Sequence, residues 1–389
     1  MISPEEAFSI LDKLNYYKKI VALSLLEARS HVLAETVFSS INMPPFRQAT
    51  MDGFAVCLHD SLQYEIVGEV KAGDFFTNEL KSGQAVKIFT GAAVPNSTQA
   101  VIQIEKVTVN GLDLLLAENI KPETNIRQLG AQIKINEVAL KEGIFLNPAA
   151  IGFLAGLGFT KVKVFQKPKI GIVVTGNELI SAGETLPDGK VYESNAIMLQ
   201  TALCGANFDK ILCYKVNDDF ESTKNMLQKA IDENDVVLVS GGISVGDYDF
   251  VGKALESINV ETLFYKVNQK PGKPLFVGKF DSKIIFGLPG NPAASLTCFY
   301  VYVLPTLKRF SGISSFYESQ LKKNLAHNYD IDNPRGQFLK AAISNDEVAI
   351  LSHQDSGMLN SFALSNALVY LPNGNYQMLK GEKVIVYRI

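Results

Sequence analysis

The chain has 389 residues, a length that at roughly 150 residues per domain predicts two to four domains. With 47% apolar and 20% charged residues it has the composition of an ordered globular protein. Thirty-seven Lys and Arg against 40 Asp and Glu leave a formal net charge of −3, so no global basic field argues for nucleic acid and no nucleic-acid partner is expected, while a local basic pocket stays open. The longest apolar stretch, Ile144 to Phe159, carries Asn147, Pro148 and three glycines. It falls short of the roughly 18 residues of a membrane span. The N-terminus is acidic where a signal peptide would be basic, so a cytoplasmic protein with no membrane partner is expected. Cys57, Cys204, Cys213 and Cys298 form no C-x-x-C, and His31, His59, His327 and His353 form no H-x-x-x-H. A tetrahedral zinc site is therefore not expected, and any metal would be a hard one bound by carboxylates and phosphate.

Taken in chain order, Ser3-Pro4-Glu5-Glu6 reads as a capping box that opens a helix. Ala7, Phe8, Leu11 and Leu14 follow at helical spacing, and Tyr17 to Ala34 reads as further helix up to Met43-Pro44-Pro45. From about Asp52 to Ile135 the texture changes to short strands at Tyr64–Val70, Gln84–Phe89, Ala100–Val107 and Leu112–Leu116, with an Asn110-Gly111 turn. Asn147 caps a helix running to Leu157, and Lys161–Phe165 reads as a strand before Pro168.

Residues 169–310 alternate strands (Lys169–Val174, Phe208–Val216, Asp235–Ser240, Glu261–Val267, Lys283–Gly287) with helices (Asn195–Cys204, Phe220–Glu233, Phe250–Ser257, Pro292–Phe310). Strands apolar on both faces and separated by helices predict a parallel, doubly wound α/β sheet. From about Ser315 the pattern returns to strands at Gln337–Ile343, Glu347–Leu351, Ala367–Leu371 and Lys383–Val386, a small β barrel or sandwich. The fold class expected is α/β plus β in four parts. These are a discontinuous domain I (1–43 and 136–167), a small β domain II (44–135), an α/β domain III (168–314) and a C-terminal β domain IV (315–389).

Ligands of open α/β sheets bind beyond the carboxyl ends of the strands, so the residues after each strand carry the information. They are Thr175-Gly176-Asn177-Glu178, then Ser240-Gly241-Gly242-Ile243-Ser244-Val245-Gly246-Asp247-Tyr248-Asp249, then Lys266 to Pro274, then Gly287-Leu288-Pro289-Gly290-Asn291-Pro292. Gly241, Gly242 and Gly246 let backbone N–H groups approach an anion, and the hydroxyls of Ser240 and Ser244 add donors. Lys266, Lys270 and Lys273 read either as a solvated basic edge or as a phosphate-neutralising set. Glu178, Asp218, Asp247 and Asp249 read singly as helix caps; together, beside a phosphate cradle, they suit Mg²⁺. The segments around Asp52-Gly53 and Thr90-Gly91 read on their own only as turn and loop.

Seven motifs in order carry a resemblance. They are P-P-F-x-x-x-x-M-D-G-F-A-V, I-F-T-G-A-x-V-P, N-I-R-x-x-G, T-G-N-E-L, S-G-G-I-S-V-G-x-x-D, K-P-G-K-P and G-L-P-G-N-P. The chain resembles the molybdopterin molybdenumtransferases, the MoeA family, along essentially its whole length. The resemblance implies an elongated homodimer whose active site lies between subunits. It implies a reaction that takes adenylyl-molybdopterin and molybdate as substrates, inserts the metal into the dithiolene and releases AMP with Mg²⁺ present. Molybdopterin adenylyltransferase and molybdoenzyme chaperones are the implied partners.

On this resemblance Asp52, Thr90, Glu178, Asp218 and Asp249 are expected to be catalytic, with Glu178 and Asp249 binding the metal. Arg127, Lys266, Lys270, Lys273, Pro289, Pro292 and Ser361 join Gly241, Gly242, Ser244 and Gly246 as expected substrate contacts. The sequence departs from the family pattern at Ala131-Gln132 and at Asn177, where acids are common. Two rival readings remain at this point: a molybdopterin adenylyltransferase, which would leave residues 1–167 and 315–389 without a role, and a cofactor-binding scaffold without turnover.

Overall fold

The helix Pro4–Lys13 begins as its capping box predicts. The Glu6 N–H donates to Ser3 Oγ at 3.1 Å, and the Ser3 N–H donates back to the Glu6 carboxylate at 2.7 Å. The structure, a computed structural model, describes residues 1–16, 18–243, 250–313 and 320–389. Within them the chain divides into two compact units. One comprises Met1–Ala22, Ser30–Ala34 and Lys163–Ile389; the other comprises Leu23–Arg29 and Glu35–Val162. Residues 1–22 thus pack with the chain after 163.

Of the helix expected from Tyr17 to Ala34, the described part, residues 18–34, is not helical. Ile20–Ser24 is a strand, and residues 25–30 are turns. Ile20 and Val21 are β-branched and favour extended backbone. Ser24 then stops the run: its N–H and hydroxyl both donate to the Glu27 carboxylate, at 3.1 and 2.6 Å.

The larger unit is built on a six-stranded sheet. Its strands are β1 (Ile170–Thr175), β2 (Ile211–Val216), β3 (Val236–Ser240), β4 (Glu261–Tyr265), β5 (Phe276–Phe280) and β6 (Lys283–Leu288). The spatial order is β2-β1-β3-β6-β5-β4. Strands β2, β1, β3 and β6 are mutually parallel, while β5 runs antiparallel to both of its neighbours. The sheet is therefore mixed, where an all-parallel one was expected. The unforeseen strand β5 joins β6 through the two-residue loop Asp281-Ser282, with Asp281 at φ +52°. Because β5 alone is reversed, the other five strands still end at one rim.

The register fixes that rim. Thr175 pairs with Val216, Val174 with Ser240, and Ser240 with Leu288, so four strand ends reach one level. All six residues of β1 are buried, as a strand covered on both faces requires. One apolar core collects Ala7, Phe8 and Leu11 of the first helix, one face of the sheet, the helical run Pro292–Phe310, and Phe338, Tyr370 and Tyr387. A second core under the other face uses Leu227, Ile231, Val251 and Leu255.

The C-terminal strands close on themselves. Gly336–Ser344 pairs with Glu347–Ile350 and with Ala367–Leu371, and Gln320–Leu325 and Lys383–Arg388 complete the ring. Of the two architectures expected here, the barrel is the one formed. The smaller unit holds a six-stranded sheet in the order Ala100–Gln103, Gly53–Val56, Gln84–Ile88, Gln63–Val70, Asp113–Leu116, Val107–Asn110. Among the described residues no helix is long and apolar enough to cross a membrane.

Candidate functional site

Strand β2 lies on one side of β1 and β3 on the other, so the chain reverses direction across the sheet between β1 and β3. Loops leaving the two strands diverge there and open a crevice. The structure has a cleft of about 930 Å³ at this point and a smaller cavity of about 290 Å³ beside it. Thr175, Glu178, Gly241, Pro274, Pro289 and Gly290 line both.

The floor is made of groups that only certain residues allow. Gly241 has φ +94°, and a Cβ there would lie 2.6 Å from the Thr175 carbonyl oxygen. Gly242 has φ +62°, with a Cβ position 2.8 Å from Val251 Cγ2. Glycine is thus required at both positions by backbone conformation and by space. Asn195, at the start of the helix Asn195–Gly205, spans the floor: its Nδ2 donates to Ser240 Oγ and to the Gly290 carbonyl, each at 2.8 Å. These two Nδ2 bonds tie two strand ends together, while Oδ1 is buried without a hydrogen-bond partner among the described residues.

Asp218 follows β2 and meets the loop after β1. Its carboxylate accepts from the Thr175 hydroxyl and, at 3.1 Å, from the Asn177 N–H. In return the Asp218 N–H donates to Asn177 Oδ1 at 3.2 Å. The side chain of Asn177, one of the departures from the family pattern, is thereby committed to a backbone group. Glu178 is different, since it lines both cavities.

Lys270 and Lys273 reach the cleft from the turn between β4 and β5. Lys266 does not line it; this residue sits at φ +67° with its ammonium 4.8 Å from the Tyr265 ring centroid. Pro289 and Pro292 do line it, at the turn that opens the helix Pro292–Cys298. The barrel contributes Arg335, Gln354, Asp355 and Ser356. Asn291 Nδ2 donates to Ser356 Oγ at 2.9 Å, and the Ala294 N–H donates to the Ser356 carbonyl at 3.3 Å. The barrel loop therefore takes the capping role that Asn291 does not perform for its own helix. Ser361 is buried behind this loop, where its hydroxyl bonds the carbonyls of His353 and Met358 at 2.8 and 3.3 Å. Ser244, Gly246 and Asp249 lie outside the described residues.

Asp52, Thr90 and Arg127 belong to the smaller unit. Gly53 pairs with Ile88, so Asp52 and Thr90 stand at one end of adjacent strands. Asp52 Oδ1 accepts from the Thr90 N–H at 2.8 Å and from the Thr90 hydroxyl at 2.7 Å. These two bonds, the backbone one foremost, hold the Asp52 carboxyl below its ordinary range. Gly53 is obligatory for the pairing, because a Cβ there would lie 1.8 Å from the Ile102 carbonyl oxygen. Gln48 extends the group: its Nε2 donates to the Gly91 carbonyl at 3.2 Å, and its Oε1 accepts from Arg127 Nη1 at 3.4 Å. The structure thus brings Asp52, Thr90 and Arg127 into one polar string.

Residues 2–158 match the family description "MoeA N-terminal region (domain I and II)". Residues 171–309 match "Probable molybdopterin binding domain", and residues 323–389 match "MoeA C-terminal region (domain IV)". A molybdopterin molybdenumtransferase of Haemophilus influenzae is 33% identical, over 99% of this chain and 98% of that protein. One from Staphylococcus epidermidis is 31% identical, over 99% of this chain and 95% of its own. The chain belongs to the MoeA family. The crystal structure of the molybdopterin biosynthesis MoeA protein of Pyrococcus horikoshii OT3 superposes with a TM-score of 0.84 at 30% identity, covering all of both chains.

Within this MoeA-family chain, sequence reasoning misses Gln48, Asn195, Arg335, Asp355 and Ser356. Asn195 has a signal, since it opens a helix after β1, but that signal marks only a helix start. Arg335, Asp355 and Ser356 have none, because their places depend on how the barrel closes.

Proposed function

We propose that the protein inserts molybdate into adenylylated molybdopterin and releases AMP, a step of molybdenum cofactor biosynthesis. The observation that carries this reading is the switch-point cleft, with its two left-handed glycines, two lysines and two proline-fixed turns, in a MoeA-family chain. A pyrophosphate-linked substrate concentrates charge on phosphate oxygens. Lys270, Lys273 and the backbone N–H groups at Gly241 and Gly242 supply donors for it. Molybdate is a tetrahedral dianion that suits the same kinds of donor. Pro289 and Pro292 fix the turn across the cleft, and Asn195 holds two strand ends at constant spacing. Lys266, Ser361, Ser244 and Gly246 are assigned to substrate binding on the resemblance alone.

Mg²⁺ fits the donors present. Among the described residues no three His, Cys, Asp or Glu side chains cluster, but Mg²⁺ commonly takes only one or two carboxylates plus substrate phosphates. Glu178 would hold it, joined by Asp249. When bound, the ion neutralises charge that develops on the phosphate oxygens. Asp218 orders the loop after β1 through Thr175 and Asn177. Asp52 fixes the Thr90 hydroxyl, and Arg127 adds a positive charge to that string.

The proposal includes the division into domains I to IV and a homodimer whose active site combines residues of two subunits. Molybdopterin adenylyltransferase, which would make the substrate, and molybdoenzyme chaperones, which would receive the product, are its partners. Purified protein incubated with adenylyl-molybdopterin, molybdate and Mg²⁺ should release AMP together with active cofactor. Binding of the substrate without AMP release would instead favour the scaffold reading. Mixing Asp52→Ala chains with Glu178→Ala chains should restore part of the activity through hybrid dimers, and a monomer by light scattering removes the shared site.

A further inference from the structure

Lys340 lies on the barrel strand Gly336–Ser344 and is only 3% exposed. Its ammonium donates to three backbone carbonyls: His353 at 2.7 Å, Met358 at 3.1 Å and Asp355 at 3.2 Å. An ammonium has three protons, and these three carbonyls take all of them. Burial pushes its pKa below the ordinary lysine value, while the Asp355 charge acts in the opposite sense. A buried ammonium is expensive where an apolar side chain would be cheap, so this one calls for a physical reason.

The carbonyls supply that reason. They all belong to the loop 353–358, which wraps round the ammonium with its backbone oxygens turned inward. His353 sits at φ +60°, a backbone conformation unfavourable for a residue with a Cβ. Further bonds fasten the loop to the same strand position: the Lys340 N–H donates to Gln354 Oε1, and Gln354 Nε2 donates to the Lys340 carbonyl, each at 2.9 Å. With the carbonyls drawn in, Gln354, Asp355 and Ser356 line the cleft, and Ser356 is bonded to Asn291 and Ala294 at the opposite wall.

We propose that Lys340 is a positioning residue for the cleft, holding the loop 353–358 so that the C-terminal barrel forms one wall of the substrate site. This role presupposes that the cleft binds adenylyl-molybdopterin. Lys340 does not itself line the cleft; it acts through the loop.

The test compares Lys340→Met, which keeps the stem and removes the charge, with Lys340→Arg, which keeps the charge. Amide hydrogen exchange across the loop 353–358 should accelerate at least tenfold in Lys340→Met. The barrel strands Gly336–Ser344 and Lys383–Arg388 should keep their protection. In the AMP-release assay KM for adenylyl-molybdopterin should rise about tenfold, with kcat changed less than threefold. Lys340→Arg should recover much of both losses. On a Ser356→Ala background, Lys340→Met should add less than it does alone, because the two act through one loop.

A folded Lys340→Met with unchanged loop exchange overturns the proposal. So does a fall in melting temperature with KM untouched, which is what a purely structural lysine predicts. Should Lys340→Met fail to fold, Lys340→Gln, which removes the charge and cannot supply three donors, is read in the same way; loop exchange or KM left at the wild-type value in that variant overturns the proposal equally. Wild-type protein that releases no AMP would sink the functional reading alone, since the exchange experiment still decides whether Lys340 holds the loop.

Discussion

The two units each contain an aspartate that accepts from a threonine hydroxyl and from one backbone N–H. In the smaller unit Asp52 is paired with Thr90; in the larger, Asp218 is paired with Thr175 and the Asn177 N–H. The first pair arises from an antiparallel register, with Gly53 opposite Ile88. The second arises from two parallel strands, with Thr175 opposite Val216. Asp52 and Thr90 are exposed, whereas Thr175 and Asp218 line a cavity floored by glycines. The same local chemistry thus does two jobs: it presents a fixed hydroxyl on an open surface in one unit and braces loops around a concave site in the other.

The largest expected effect separates bracing from open space in the larger unit. Gly241→Val must take up φ +94° with its Cβ 2.6 Å from the Thr175 carbonyl oxygen. Strain and overpacking together should cost roughly 2–5 kcal/mol by chemical denaturation. Substrate binding should be lost with it. Gly290→Ala is the contrast, because the nearest atom to its Cβ position is 3.9 Å away. It should keep wild-type stability within about 0.5 kcal/mol. If both variants were equally stable, the close approach at Gly241 would not be what requires glycine.

Next come the charges in the cleft. Lys270 and Lys273 are exposed and line it, so Lys270→Met and Lys273→Met should fold normally. A charge-assisted hydrogen bond contributes about 1.5–3 kcal/mol, hence each variant should bind the adenylylated substrate roughly ten- to a hundredfold more weakly. Lys266→Met, whose ammonium sits against Tyr265, should change affinity much less. An equal loss at all three lysines would mean that Lys266 contacts the substrate as the resemblance implies, and that the site extends beyond the lining of the cleft.

These contrasts follow the line between what the sequence discloses and what it conceals. Ser3, Asn147 and the helix Phe220–Glu233 are legible because caps and helical periodicity are local signals. The rim loops are legible for the same reason, since glycine and proline mark where strands end. Strand β5 escapes notice because Gly278 interrupts its apolar run, and nothing local says that it reverses direction. The strand Ile20–Ser24 is hidden inside an apolar stretch that fits a helix equally well. Lys340, Gln48 and Asn195 are invisible as functional residues, because each matters through partners distant in sequence. A buried lysine looks like any surface lysine until the barrel closes around it.

A smaller effect tests the exposed pair. The Asp52 carboxyl is held low first by the Thr90 N–H and second by the Thr90 hydroxyl. Thr90→Val keeps the first bond and removes the second. The Asp52 pKa should therefore rise part of the way toward its ordinary value of 3.8, as read by carboxyl NMR titration. A depressed folded pKa stabilises above the ordinary aspartate range, and that contribution fades as pH falls through the lowered value. Stability of Thr90→Val should accordingly depend less on pH in that acidic window than stability of the wild type. An unchanged pKa would show that the hydroxyl is not fixed by Asp52.

The smallest expected effect concerns Asn177, where the family often carries an acid. The geometry commits its Oδ1 to the Asp218 N–H, and neither cavity is lined by its side chain. An aspartate keeps that acceptor, so Asn177→Asp should change stability by no more than about 0.5 kcal/mol. It does add a negative charge close to Asp218, whose carboxylate already faces this loop. If residue 177 were a ligand position, the extra charge would tighten a hard cation substantially, as each added anionic oxygen does. If it is a loop clasp, the Mg²⁺ concentration giving half-maximal AMP release should move less than about threefold. Glu178→Gln provides the scale: loss of the carboxylate that lines both cavities should raise that concentration by an order of magnitude or more, with substrate affinity retained. A large tightening in Asn177→Asp would bring the cation to residue 177 and make Asp218, in place of Glu178, the carboxylate that binds it.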